Sequence, residues 1–185
     1  NDNFVVLNKS SGISVQGGTK SKKNLIDIFT KSEIFKGTKP YSVHRLDKDT
    51  SGLMFAARSS LGHRSLVAQL SDRSVGRIYS AVCRGYLTGG GTIDAPIGRH
   101  PTSRTKMAVI DDGKPAITHY RIKQRFAHHT HLKVNLESGR THQIRVHMSA
   151  IHCPLVCDKK YSESRFPADC TWCRRSFLAR TILVS

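Results

Sequence analysis

The chain has 185 residues, 30 of them Lys or Arg against 13 Asp or Glu, for a formal net charge of +17. Hydrophobic residues make up 38% and charged residues 23%, enough apolar content for a packed domain and too much for a disordered one. Apolar runs are only a handful of residues long, which excludes a membrane-spanning helix, and no short repeat supports a collagen or coiled-coil reading.

In chain order, Phe4 to Asn8 reads as a short buried strand, followed by a turn at Lys9-Ser10-Ser11-Gly12. Lys20, Lys22 and Lys23 mark a basic loop, and Asn24 is the expected N-cap of a helix running to about Thr30. Thr38 to Tyr41 reads as loop and Leu53 to Ala57 as an apolar strand. Ser60 is placed to cap an amphipathic helix with Leu61, Leu66 and Leu70 on one stripe. Strands are expected over Ile78 to Val82, Met107 to Ile110, Ala116 to Gln124, Leu132 to Leu136 and Phe177 to Val184. Thr92 to Ile97 reads as extended, and Gly98 to Thr105 as a polar, basic loop. Thr141 is placed to cap a last helix, with Ile144, Met148 and Ile151 at i, i+4 and i+7. Many strands with few, separated helices describe an α+β fold with a mainly antiparallel central sheet flanked by helices and loops. No linker divides the chain, so residues 1–185 read as a single domain.

A basic excess spread along the whole chain points to a polyanion, and no basic amphipathic helix directs it to a membrane. The five cysteines, Cys83, Cys153, Cys157, Cys170 and Cys173, form an odd set without a signal peptide, as expected of a reducing, intracellular compartment. The chain opens on Asn1 and not on Met, which implies sequence upstream. With the charge, this suits a mitochondrial location, with cytoplasm or nucleolus as alternatives.

Two stretches concentrate polar chemistry. His44 to Gly52 packs Arg45, Asp47, Lys48 and Asp49 around Leu46 just ahead of an apolar strand. Turn chemistry explains Thr50-Ser51-Gly52 but not that cluster. A glycosidase-like pair of Asp47 and Asp49 is weak, since carboxylates at i and i+2 in a turn have no fixed separation. Ser138 to His147 carries Arg140, His142, Gln143, Arg145 and His147 at a helix start. A metal reading of His142 and His147 fails, because i, i+5 leaves one helical face. Cys153, Cys157, Cys170 and Cys173 match a zinc site in number, but the CxxxC spacing is loose and free thiols are the expected state.

His44 to Gly52 resembles the HRLDxxTSG signature of the RluA-like RNA pseudouridine synthases, and other segments follow in that family's order. Asn8 to Gly12 is similar to N-K-P-x-G, with Ser10 for Pro. Arg77 to Val82 is similar to K-x-Y-x-A-x-V, with Arg for Lys. Gly139 to His147 matches G-R-T-H-Q-I-R-x-H, and Pro154 to Tyr161 is similar to P-x-x-G-D-x-x-Y with Cys157 for Gly. Phe177-Leu178-Ala179 fits the closing strand. The resemblance implies the pseudouridine synthase fold and an enzyme that isomerises uridine in RNA without metal or cofactor. Asp47 matches the nucleophile, Arg145 the arginine that ion-pairs with it, and Tyr79 the tyrosine that stacks on the target base. Attack on the sugar C1′, addition to the base and abstraction of a sugar proton all stay open for Asp47.

Arg45 matches the residue that fills the gap left by the flipped uridine. His44, Lys48, Arg140, His142 and Gln143 complete the expected RNA-binding set, with phosphates held by the loops at Lys20 to Lys23 and Arg99 to Lys106. Some family members carry an N-terminal S4-like RNA-binding domain that this chain does not show. Its RNA would be positioned by its own basic surface, by further sequence or by a protein partner. Large-subunit ribosomal RNA is the first substrate expected, transfer RNA the second. Ribosomal or assembly proteins are further expected partners. The rival reading is a ribosome-assembly or RNA-binding factor on the same fold with little catalysis.

Overall fold

The computed structural model describes residues 2–17, 24–36, 39–162 and 178–184, the last as backbone. The Lys20 to Lys23 loop, Cys170, Cys173 and Phe177 lie outside the described residues. The chain divides into two compact units, Asn1–Gly76 with Arg180–Ser185, and Arg77–Ala179.

In the first unit, β1 (Phe4–Lys9) pairs antiparallel with β3 (Ser51–Ala57), from Phe4 opposite Ala57 to Lys9 opposite Gly52. The short β2 (Tyr41–Ser42) pairs with the end of β3, and β10 (Leu178–Val184) is the next strand beyond β3. Met54, Phe55, Ala56 and Ala57 are all buried. A continuous apolar run of this kind suits a strand covered on both faces. β1 is only half-buried, with Val6 exposed, so the fully buried strand expected there is corrected: it lies at the end of the strand order.

Helix α1 (Leu25–Thr30) starts as expected at Asn24, whose side chain accepts the Asp27 N–H. Helix α2 (Ser60–Ser71) is capped one residue earlier than expected, by Ser59, whose Oγ accepts the Gly62 N–H at 3.0 Å. Leu66 and Leu70 pack with Phe55, Ala57 and Val75, while Leu61 is 64% exposed. Five residues turn a helix by about 500°, which carries Leu61 well off the Leu66 stripe.

The second unit holds an antiparallel run in the order β4 (Val75–Arg84), β9 (His129–Leu136), β8 (Ile117–Arg125) and β5 (Gly91–Asp94). A separate hairpin, β6 (Ile97–Arg99) and β7 (Met107–Val109), brackets the basic loop. Period-two alternation sends Ala81 and Cys83 of β4 and Leu132, Val134 and Leu136 of β9 to one face. There they pack on Ile144 and Met148 of α3 (Gln143–Ala150). The antiparallel α+β architecture read from the sequence is the one present.

Candidate active site

Asp47 sits half-buried in the loop between β2 and β3, flanked by exposed Arg45 and Lys48 and by buried Leu46. What shapes this loop is Lys9, at the end of β1 and only 2% exposed. Its Nζ donates to the carbonyls of Ser10, Ile13 and Lys48 at 3.0, 2.9 and 3.0 Å. The Gly12 N–H donates to the Lys48 carbonyl at 2.8 Å and the Ser11 hydroxyl to the Asp49 carbonyl at 2.8 Å. Gly12 has φ +91°, a conformation that glycine adopts without strain. Burial lowers the Lys9 pKa below its ordinary value, opposed by the nearby Asp49 and Asp47 carboxylates. The loop therefore arranges its backbone around one buried ammonium. His44 anchors the other end. Its Nε2 accepts the Phe55 N–H at 3.0 Å, so the ring hydrogen is on Nδ1, and the ring meets Phe55 edge-on.

The second polar motif is held differently. Helix α3 is capped not by Thr141 but by His142, in the left-handed region at φ 57° with no side-chain cap bond. Gln143, 2% exposed, stabilises the turn instead. Its Oε1 accepts from the Ser138 hydroxyl at 2.9 Å and from the Arg140 N–H at 3.0 Å. Its Nε2 donates to the Ile117 carbonyl and the Thr118 hydroxyl, both at 3.0 Å. His147, fully buried, extends the network. The Ala95 carbonyl can only accept, so Nε2 carries the hydrogen there, and Nδ1 accepts from the Thr118 hydroxyl at 2.8 Å. Burial lowers the His147 pKa, with the Ala95 bond and Asp94 opposing, which keeps the ring neutral.

Arg145 forms a bidentate pair with Asp158, Nε to Oδ2 at 2.7 Å and Nη2 to Oδ1 at 2.8 Å. Its guanidinium carbon stands 5.0 Å from the Tyr161 ring centroid. The Asp158 side chain is 3% exposed. Burial pushes its pKa up, but Arg145 and the N–H groups of Lys160 and Tyr161 outweigh that and leave it below the ordinary value. Tyr161 also accepts the Met107 N–H at 2.9 Å and bonds His142 Nδ1 at 2.6 Å. One buried carboxylate and one tyrosine thus fix the arginine, the histidine cap and the β6–β7 hairpin together. Cys157, where the resembled family has Gly, takes the left-handed φ of 64°.

Tyr79 is half-buried on β4 opposite Val134, against the core under α3. A Cβ at Gly139 would stand 3.7 Å from Arg77 Nη1, so the motif around Tyr79 and the motif at the start of α3 touch. Exposed Arg140 spends its Nε on the Pro115 carbonyl. Of the expected RNA-binding set, Arg45, Lys48 and Arg140 are on the surface. Gln143 is corrected from an RNA contact to a framework group, because its amide is taken up by protein. Lys9, Asp158 and Tyr161 are the site residues to which sequence reasoning assigned no role. Their signals were the apolar face Val5–Leu7–Lys9, read at period two, and the Pro154–Tyr161 segment. Cys83, Cys153 and Cys157 are buried free thiols. Among the described residues no group of three His, Cys, Asp or Glu is placed to hold a metal ion.

Residues 3–150 match the model of the RNA pseudouridylate synthases. The chain belongs to this family. The matched stretch includes Asp47, Tyr79 and Arg145, and Asp158 and Tyr161 lie just beyond it. The ribosomal large subunit pseudouridine synthase D of Pseudomonas aeruginosa is 51% identical over 166 residues, covering 86% of this chain and 51% of that protein. The protein of the same name from Escherichia coli K12 is 57% identical over 119 residues, 64% of this chain and 36% of its own length. The chain spans about half the length, or less, of these curated relatives. Human RNA pseudouridylate synthase domain containing 1 shares the fold, with a TM-score of 0.79 at 23% identity over all of this chain and 76% of that one. Human RNA pseudouridylate synthase domain containing 4 does so at 0.79 and 22%, over 100% and 85%.

Proposed function

We propose that this pseudouridylate synthase chain isomerises uridine to pseudouridine in RNA, with large-subunit ribosomal RNA as its substrate. The family match over residues 3–150 carries the reading, because it takes in Asp47, Tyr79 and Arg145 together. The named role of a relative 51% identical to this chain supports ribosomal RNA in particular. In this reading Asp47 is the nucleophile. The N1–C1′ bond breaks, the C5–C1′ bond forms, C5 loses a proton and N1 gains one, so the reaction balances without a co-reactant. Tyr79 offers an aromatic face to the base and a hydroxyl for the C5 proton. Arg145 is the cation of the site, preset by Asp158. Exposed Arg45 occupies the stack that the flipped uridine leaves.

The test is direct. Unmodified transcripts of large-subunit ribosomal RNA and of transfer RNA are incubated with the purified chain, and pseudouridine is mapped by carbodiimide-dependent primer-extension stops. A few discrete stops in the ribosomal transcript, absent with Asp47→Asn, are expected. Stops confined to transfer RNA would reassign the substrate. None in either RNA would overturn the activity.

A further inference from the structure

The sheet of the second unit has two faces. One carries Tyr79 and packs on α3, and the other is covered by no described element of that unit. Alternation places a row of Ser80, Lys133 and Arg121 on the uncovered face, across β4, β9 and β8. A second row holds Asn135, His119 and Thr92. Arg121, Lys123, Lys133, Asn135, Ser80 and Thr92 are all exposed. They border a groove of about 510 Å³ lined by Thr92, His119, Arg121, Lys133 and Asn135 among others.

Two features of this face run against what a solvated sheet surface needs. Arg121 and Lys133 stand directly opposite each other in the β8–β9 register, and like charges in that position destabilise a sheet. Neither cation has a carboxylate partner among the described residues. The face's acidic groups are Glu137, bound to His119 Nε2 at 2.6 Å, and Asp94 at the far end of β5. The second feature is a bulge between Ile122 and Gln124, where Ile122 pairs with Leu132 and Gln124 with His131. Lys123 is the extra residue, and a bulge re-aims side chains in this way. Local order is thus given up at two points, and both keep positive charge on the same open face. A rule broken without a structural gain marks a functional surface.

We propose that this face binds the phosphodiester backbone of the RNA substrate at a segment away from the target uridine. The inference rests on the RNA-modifying function proposed above. Its chemistry suits backbone and not bases: two opposed cations and a bulge lysine for phosphates, the Asn135 amide as a hydrogen-bonding group, the Ser80 and Thr92 hydroxyls already bonded to His131 and His119, and no Phe, Tyr or Trp in either row of described residues. Tyr79 and Ser80 are neighbours on β4 and point to opposite faces, so one nucleotide cannot reach both. A strand of RNA engaging both faces must pass around an edge of the sheet, which a short stem-loop cannot do.

The test measures binding, without turnover, to a long large-subunit ribosomal RNA transcript and to a short stem-loop containing the target site. Arg121→Glu/Lys133→Glu should weaken the long transcript about tenfold and lower its log–log salt slope by roughly 1.4, the amount for two phosphates no longer neutralised. Stem-loop affinity should stay within twofold. Arg121→Glu alone creates an opposite-charge pair with Lys133, so its melting temperature should rise while its affinity for the long transcript falls. Should the double variant misfold, Lys133→Gln removes a single cation and should lower the slope by roughly 0.7. Unchanged affinity for the long transcript, equal losses on both RNAs, or no binding by the wild-type chain would each overturn the proposal. Because affinity is read without chemistry, a wild-type protein that binds the transcript but makes no pseudouridine defeats the activity and leaves this surface standing.

Discussion

Two polar stretches of nine residues, His44 to Gly52 and Gly139 to His147, look equally dense in sequence and behave oppositely in the fold. The first is held from outside. Lys9 gathers three backbone carbonyls, and the motif's own charged side chains stay half-buried or exposed. The second is held from within. Gln143, His147 and Arg145 satisfy one another's surroundings and are largely withdrawn from solvent. Chemistry-bearing residue types therefore divide into groups that are presented and groups that hold, and burial separates the two where composition does not.

The comparison can be broken by mutation. Asp47→Asn should abolish turnover and move the melting temperature by no more than about 2 °C, since a half-exposed loop substitution costs about 0.5 kcal/mol or less. A large loss of stability would mean that the first motif also holds. Asp158→Asn should do the reverse first. It leaves the mostly buried Arg145 guanidinium without its anion, costing about 3 kcal/mol and roughly 6–12 °C in melting temperature, with activity falling in step. Full activity with unchanged melting would show that Arg145 does not depend on this pair.

A milder effect is expected of Gln143→Ala, which strands the Ser138 hydroxyl and the Arg140 N–H. Urea unfolding should report a loss of about 2 kcal/mol. Retention of RNA affinity by the folded variant would sharpen the framework assignment. The smallest effect is a pH dependence. His147 has a folded pKa below the ordinary 6.5, so the unfolded chain takes up the proton first. Its contribution is complete above about pH 6.5 and is lost as pH falls toward the folded value. Asp158 adds a similar loss below its ordinary 3.8. Urea melts at pH 7.5 and 5.5 should differ less in His147→Gln than in the wild type.

Much of the fold was legible because local signals agreed with tertiary ones. Asn24 caps α1, Leu53 to Ala57 is a buried strand, and the alternation of β8 gives its two faces. Misplaced caps have a common physical origin. Ser59 and Ser60 are chemically the same, and the sequence does not show that Ser59 is the one beside Asn3: Asn3 Oδ1 accepts the Ser59 hydroxyl at 3.2 Å while Ser59 Oγ accepts the Gly62 N–H. Thr141 is the better cap by propensity, but Arg140 and Gln143 close the turn on each other, Arg140 N–H to Gln143 Oε1 and Gln143 N–H to the Arg140 carbonyl, and left-handed His142 takes the cap position. Within the site, the motif resemblance named Asp47, Tyr79 and Arg145. The bond between Arg145 and Asp158 was not legible, because it runs from helix α3 to the irregular backbone beyond it, 13 positions away, with no periodicity to link the two. Lys9 was hidden for a different reason. A lysine at a strand end reads as solvated, and only its place after Val5 and Leu7 on one face shows that it turns inward.

Lys9 also fixes an order of assembly. Its three carbonyl partners include Lys48, 39 positions away, and the Gly12–Lys48 bond spans a similar distance. Neither contact is local, so the Lys9 end of the loop bearing Asp47 takes its shape only once β1 has found β3 and placed Lys9 opposite Gly52. Closing a loop of that length has an entropic cost that the ladder itself must offset. The backbone that carries Asp47 is thus completed late in folding, by the same event that pairs β1 with β3. It follows that the amides of Gly12 and of the β1–β3 ladder should open to hydrogen exchange as one cooperative unit.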